Sequence, residues 1–215
     1  VKRSILLLAA GLLAAVACGG FPAPARAQVH GALSNARVVP VNSRLGGGYL
    51  QFDKSSATLM GQLRLSFYPN LDFGFLGGLS RIDVNDNTRT SVRLGGDFRG
   101  QLATQNASFP VDVLLGGALG VETADELTIL SVGPQLTVSR ALDLSGRWIG
   151  YGGAALLLSR IELSSQSDND ISFPVRFGIE YDPNPYLRML AEVQLAVSDE
   201  VKDDFAATLG VLFPF

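Results

Sequence analysis

The most constraining feature of this 215-residue chain is the alternation across residues 204–215, D-F-A-A-T-L-G-V-L-F-P-F. Phe205, Ala207, Leu209, Val211, Phe213 and Phe215 share one parity. Ala206, Thr208, Gly210 and Leu212 share the other, and only the last of these is large and apolar. Successive side chains of a strand point to opposite faces, so this stretch reads as a strand with one apolar face.

The same period runs through most of the chain. From residue 43 onward, turn signals divide it into ten strands, at 44–53, 57–68, 71–82, 90–103, 109–121, 127–139, 142–158, 171–181, 186–197 and 204–215. The first is the weakest, because Gly46 to Gly48 carry no periodic signal, and eight strands is the alternative count. Tight turns are expected at Pro69-Asn70, Gln105-Asn106, Arg140-Ala141 and Pro183-Asn184-Pro185. Longer polar connections are expected at 54–56, 83–89, 122–126, 162–170 and 198–203. Short turns on one rim and longer loops on the other are what a transmembrane β-barrel displays, and an even strand count puts both termini on one side.

Antiparallel partners keep a constant register, so each hairpin can be tested for agreement on both faces. Across Pro183-Asn184-Pro185, one register opposes Phe173 to Leu195, Val175 to Val193, Phe177 to Ala191, Ile179 to Met189 and Tyr181 to Leu187. The other face of that register sets Glu180 against Arg188 and Arg176 against Glu192. Between 90–103 and 109–121, Leu102 meets Phe109 and Phe98 meets Val113, with Arg99 against Asp112. A third register sets Val138 against Leu144, Gln135 against Arg147 and Pro134 against Trp148. Proline cannot donate to a ladder, so a bulge or local distortion is expected near Gly133-Pro134.

The start of the chain reads as a targeting segment. Lys2 and Arg3 precede an apolar run from Ile5 to Ala17, and Ala25-Arg26-Ala27 forms an A-x-A cleavage site, so 1–27 is expected to be a signal peptide. The alternative is acylation at Cys18 after Ala15-Val16-Ala17, which lacks the usual leucine of a lipobox. Residues 28–42, with Pro40, read as a periplasmic lead-in, and 43–215 as the barrel domain. Three of the 17 basic residues (Lys2, Arg3, Arg26) lie in the signal, leaving 14 against 20 acidic and a formal charge of −6. That balance carries no nucleic-acid footprint. Cys18 is the only cysteine, so no disulfide is available. No internal apolar run is long enough for a membrane helix, which leaves a closed barrel as the spanning structure.

A secreted β-sandwich also alternates apolar and polar residues. Three features count against it: no long crossover connections, strands close to the roughly 9–11 residues a bilayer requires, and an aromatic C-terminal strand. In the barrel the apolar face meets lipid. The charged face, with Arg64, Arg93, Asp97, Arg99, Asp112, Arg147, Arg176, Glu180, Arg188 and Glu192, lines the lumen. Phe67, Tyr68, Phe73, Phe109, Tyr181, Tyr186, Phe213 and Phe215 would form an interfacial girdle on the terminal side, with Phe52, Phe173 and Phe205 at the other rim. The many glycines precede no helix, so they read as bends and as room for large lumen side chains opposite.

Thr208, Gly210, Phe213 and Phe215 form a T-x-G-x-x-F-x-F pattern that resembles the C-terminal assembly signal of bacterial outer-membrane barrels. Over 43–215 the chain resembles small Gram-negative outer-membrane proteins of the OmpA/OmpX-like, porin-family type, although Pro214 sits inside the signal. The resemblance implies an all-β, antiparallel up-and-down transmembrane barrel in the outer membrane. It also implies contact with lipopolysaccharide and recognition by the barrel-assembly machinery through the last strand. That family includes anchors, pores, adhesins and a few enzymes, so membership alone leaves function open.

An enzyme is not expected. The single histidine, His30, lies in the lead-in, and no constellation of nucleophile and base, paired carboxylates or metal ligands stands out. No cofactor or metal is expected. Adhesion would use loops that are short, and acids such as Asp83, Asp168, Asp170 and Asp204 read first as rim charge. The expectation is a structural barrel with a salt-bridged, side-chain-filled lumen, and a narrow porin-like channel is the alternative.

Overall fold

The computed structural model describes residues 33–53, 56–84, 87–125, 127–163, 166–198 and 204–215. The expected signal segment with Cys18, and His30, lie outside the described residues, as does most of the expected 198–203 connection. Eleven strands follow one another: β1 (Arg44–Asp53), β2 (Ser56–Tyr68), β3 (Leu71–Val84), β4 (Asn87–Ala103), β5 (Asp112–Ala124), β6 (Leu127–Ala141), β7 (Trp148–Ala155), β8 (Leu157–Leu163), β9 (Gln166–Asn184), β10 (Leu187–Ser198) and β11 (Asp204–Pro214).

Each strand pairs antiparallel with its neighbours, and β1 pairs with β11, from Leu45↔Pro214 to Asp53↔Ala206, so the sheet closes. Beyond that ladder, Arg44 and Phe215 exchange two backbone hydrogen bonds of 2.9 and 3.0 Å, tying the last residue into the wall. Strands β7 and β8 occupy one place between β6 and β9, which makes ten staves. The break, at Leu156, lies opposite Pro134 of β6. Gln135 faces Ala155 below it and Val132 faces Leu158 above it, so register is continuous across the gap. The Leu156 N–H still reaches the Pro134 carbonyl at 3.1 Å, but Pro134 has no hydrogen to return. The expected distortion is present, as an interruption without an inserted residue.

Exposure follows parity around the barrel, and it runs opposite to that of a soluble protein. Buried side chains include Arg64, Asp72, Arg99 and Glu180, whereas Leu59, Phe75, Leu119 and Phe177 lie more than half exposed on the outer surface. A sandwich would place these sets the other way round. The outward aromatics gather at the terminal rim, where Phe67, Tyr68, Tyr186 and Phe215 are exposed. There Trp148 stacks on Tyr181 with ring centroids 4.3 Å apart.

Connections differ from expectation. The Gln105-Asn106 turn is a loop over 104–111, in which Asn106 Oδ1 accepts the Ser108 and Phe109 N–H groups, both at 2.9 Å. The Arg140-Ala141 turn is a loop over 142–147, in which Asp143 Oδ1 accepts the Trp148 N–H at 3.0 Å and Gly146 takes φ of +66°. Side chains that satisfy their own turn backbone make these longer loops stable. At the opposite rim the strands run on through four of the expected loops, leaving two residues between strands at 54–55, 85–86, 125–126 and 164–165, and five at 199–203. The two longest connections, 104–111 and 142–147, therefore stand at the terminal rim.

The two lengthened loops move two registers, and at the two-residue turn Pro185-Tyr186 a shift between Leu187 and Met189 moves a third. Leu195 faces Val175 rather than Phe173, Phe98 faces Gly117 rather than Val113, and Gln135 faces Ala155 rather than Arg147. Each shift is an even number of residues, so inside stays inside.

Candidate functional site: a charged and plugged lumen

Strand parity directs a set of charges to the barrel axis, and register brings them together near the terminal end. Arg64 on β2, Gly74 on β3 and Asp97 on β4 are successive cross-strand neighbours. Because Gly74 has no side chain, the guanidinium and carboxylate meet over it in a two-pronged pair of 3.0 and 2.7 Å. A Cβ at Gly74 would lie 2.9 Å from Arg64 Cζ. Asp72 and Arg99 form a second two-pronged pair of 2.9 and 2.7 Å. Arg64 Nη2 donates to Asp72 at 2.5 Å and links the two. Two cations and two anions thus neutralise one another with shared hydrogen bonds, the condition under which buried charge is tolerated.

The lumen also contains part of the chain itself. Residues 33–39, within the segment expected as a lead-in, run inside the barrel, and the chain turns back at 40–43 to enter β1. The Asn35 N–H and side-chain amide both donate to the Glu180 carboxylate at 2.6 Å. Arg99 donates to Ser34 Oγ at 2.5 Å and to the Asn35 carbonyl at 3.1 Å. The Val39 N–H donates to Asp72 at 3.0 Å, and Arg37 pairs with Asp112 at 3.0 Å. Leu33 and Val39 join Tyr49, Tyr151, Leu190 and Leu212 in a buried apolar cluster on the axis. A segment without sheet partners has its backbone satisfied by lumen side chains, as burial requires.

Of the expected lumen residues, Arg64, Arg93, Asp97, Arg99, Asp112, Arg176, Glu180 and Glu192 face inward. Arg147 does not: it is exposed in the 142–147 loop, because β7 begins only at Trp148. Arg188 is part-buried near the rim and pairs with Asp182 at 3.6 Å, not with Glu180. The expected Arg176–Glu192 and Arg99–Asp112 neighbours are also replaced. Arg176 stands opposite Gln194 and donates to Thr137 at 2.6 Å, while Glu192 accepts from the Tyr151 hydroxyl at 2.7 Å and from Gln194 at 2.6 Å. Arg99 stands opposite Gly116.

Sequence reasoning missed Asp72, which binds both arginines, although Phe73 and Phe75 outside put Asp72 inside by parity. It also missed Glu122, read as a loop residue, which faces Arg93 across β4–β5 at 3.0 Å. Tyr49 and Tyr151 were hidden among glycines. Each lies flat over an opposing glycine, Gly210 and Gly178, where a Cβ would strike the ring. Gly210 in the C-terminal pattern thereby makes room for a lumen tyrosine, and Thr208 is buried beside Gln51 at 3.3 Å. Phe213 and Phe215 are exposed on the outer face. Above the plug the lining turns to small hydroxyls, among them Thr58, Ser80, Ser91, Ser131 and Ser159.

No family model and no curated protein matches the chain. Among solved structures, it is similar to an outer membrane channel from Pseudomonas putida F1, with 11% identity, 87% of this chain and 100% of that chain covered, and a TM-score of 0.58. It is also similar to a bacterial polysaccharide outer membrane secretin, with 12% identity and a TM-score of 0.50 over 81% of this chain. The chain covers 65% of that secretin chain. At these identities the likeness is one of fold. The protein is a closed, ten-stave antiparallel β-barrel of the outer-membrane type.

Proposed function

We propose that this chain is a non-enzymatic, integral outer-membrane β-barrel of Gram-negative type whose lumen is held shut by its own residues 33–39 and the ion pairs around them. The observation that carries this reading is the clamp of Asn35 on Glu180 and Arg99, which fixes the segment across the axis. Export through the 1–27 signal puts both termini in the periplasm. Thr208, Gly210, Phe213 and Phe215 present the last strand to the assembly machinery, and the strand-tip rim faces lipopolysaccharide outside. Among the described residues no group of three or more His, Cys, Asp or Glu is placed to hold a metal, and Asp72, Arg99, Asp112 and Glu180 are engaged in holding residues 34–39.

A narrow channel is the second reading, favoured by the small hydroxyl side chains that line the barrel above the plug, since small polar groups suit a water-filled path. Planar-bilayer conductance of the refolded protein beside Asn35→Asp separates the two. Asn35→Asp sets a carboxylate against Glu180 and expels the segment. The closed reading expects silence from wild type and openings from the variant, both folded by heat-modifiable gel mobility. Steady wild-type openings that Asn35→Asp leaves unchanged would refute it.

A further inference from the structure

The lipid-facing surface of β1–β4 carries a cation at the edge of an apolar field. Register sets its outward residues in rows. Phe52, Ala57, Arg81 and Thr90 are successive cross-strand neighbours near the strand-tip rim, and Leu50, Leu59, Leu79 and Val92 form the next row inward. Ala57 is the smallest side chain of the upper row, so the surface dips between Phe52 and Arg81. The dip is an open groove of about 230 Å³, walled by the upper row and by Leu50, Leu59 and Leu79 of the lower. Arg81 is exposed. Its counterparts at this rim are paired, Arg89 with Asp125 and Arg160 with Glu162, but Arg81 has no ion-pair partner among the described residues. A guanidinium on the lipid side is costly at mid-bilayer and tolerated at the interface, where lipid phosphates are the anions at hand.

We propose that this cleft is a binding site for one phosphorylated glycolipid of the outer leaflet, the lipid A portion of lipopolysaccharide. The Arg81 guanidinium, with the Thr90 hydroxyl beside it, takes a phosphate in the two-pronged geometry that arginine favours. One acyl chain lies over Ala57 against Leu50, Leu59 and Leu79. The size of the cleft selects this occupant: it takes part of one chain, whereas a protein partner needs an interface of roughly 1,000 Å² or more. The site rests on the orientation proposed above, with the strand tips outside.

The test is native mass spectrometry of the refolded full chain titrated with bisphosphorylated lipid A, with dephosphorylated lipid A and phosphatidylglycerol as parallel probes. A one-to-one adduct is expected, weakened at least tenfold by Arg81→Ala, which removes the cation, and by Ala57→Phe, which fills the cleft. Dephosphorylated lipid A should bind wild type as weakly as the intact lipid binds Arg81→Ala. Both substitutions lie on the lipid-facing surface, and gel mobility checks that each variant is folded. Wild-type affinity in either folded variant, or equal binding of the dephosphorylated probe, would overturn the site. Phosphatidylglycerol binding as tightly as lipid A, with the same losses, would overturn the choice of lipid and the outward orientation. None of these outcomes alters the conductance of wild type or Asn35→Asp, so the plug and the lipid site stand or fall separately.

Discussion

Asp72→Asn attacks the centre of the lumen network while keeping the shape of the side chain. Asp72 is fully buried and accepts from Arg64 at 2.5 Å, from Arg99 at 2.9 and 2.7 Å, and from the Val39 N–H of the plug at 3.0 Å. The substitution removes one negative charge from a balanced set of two arginines and two aspartates. It also turns an amide donor towards guanidinium donors. One unit-charge contact at about 4 Å is worth about 4 kcal/mol at an effective dielectric constant of about 20. Removing one partner of a buried pair costs about 3–5 kcal/mol by experience. The two figures agree, and the expected loss is about 4 kcal/mol, a large share of the roughly 5–15 kcal/mol that holds a domain together. The assay is urea unfolding of the refolded protein in lipid vesicles. It is followed by fluorescence of Trp148, the chain's single tryptophan, which sits at the rim against Tyr181. Arg99→Gln in the same background restores charge balance between Arg64 and Asp97. The double variant should therefore lose at least 1 kcal/mol less than the sum of the singles. A loss in Asp72→Asn below about 1 kcal/mol, or additivity within about 0.5 kcal/mol, would refute the network as described.

Two further predictions concern the wall and its loops. Gly133→Ala should lose about 3 kcal/mol or more, or fail to reach the heat-modifiable form. Its Cβ would lie 2.8 Å from the Leu156 carbonyl carbon and nearer still to the oxygen, all backbone. Gly61→Ala, with nothing nearer than 3.9 Å, should fold normally, and equal behaviour of the two would remove the argument. At Asp143, in the 142–147 loop, hydrogen bonds from the Ser145 hydroxyl and then from the Trp148 and Arg147 N–H groups hold the carboxyl below its ordinary value of about 3.9. A depressed folded value stabilises the loop above pH of about 3.9, and that contribution is lost as pH falls through the folded value. The Trp148 amide resonance should titrate at a lower pH in wild type than in Ser145→Ala, and identical midpoints would contradict the assignment.

Much of this architecture is legible without coordinates because strand parity is local. Each stave's inward and outward sets follow from a period of two, so Arg64, Arg99, Glu180 and Glu192 could be placed in the lumen, and Phe213 and Phe215 outside, from sequence alone. The interruption at Pro134 was equally legible, since a missing N–H shows in the residue type. Partner identity was not. Glu180–Arg188 fails because the β9–β10 turn lies at Pro185-Tyr186 and the ladder shifts between Leu187 and Met189. Arg99–Asp112 was inferred from a turn drawn too tight, and Asn106 and Asp143 lengthen loops of that kind by binding their own backbone. Arg147 was misplaced for the same reason.

What the sequence determined by itself is the two-faced wall, apolar outside and charged within, a property of neighbouring residues that survives every even shift of register. Only the tertiary structure decided which charges meet, because register is set at the turns and propagates across the sheet. It also decided that residues 33–39 fill the lumen. Their sequence has no period to announce a destination. Their place depends on Glu180, Arg99, Asp72 and Asp112, which are distant in the chain and come within hydrogen-bond reach of one another's neighbours only once the barrel closes.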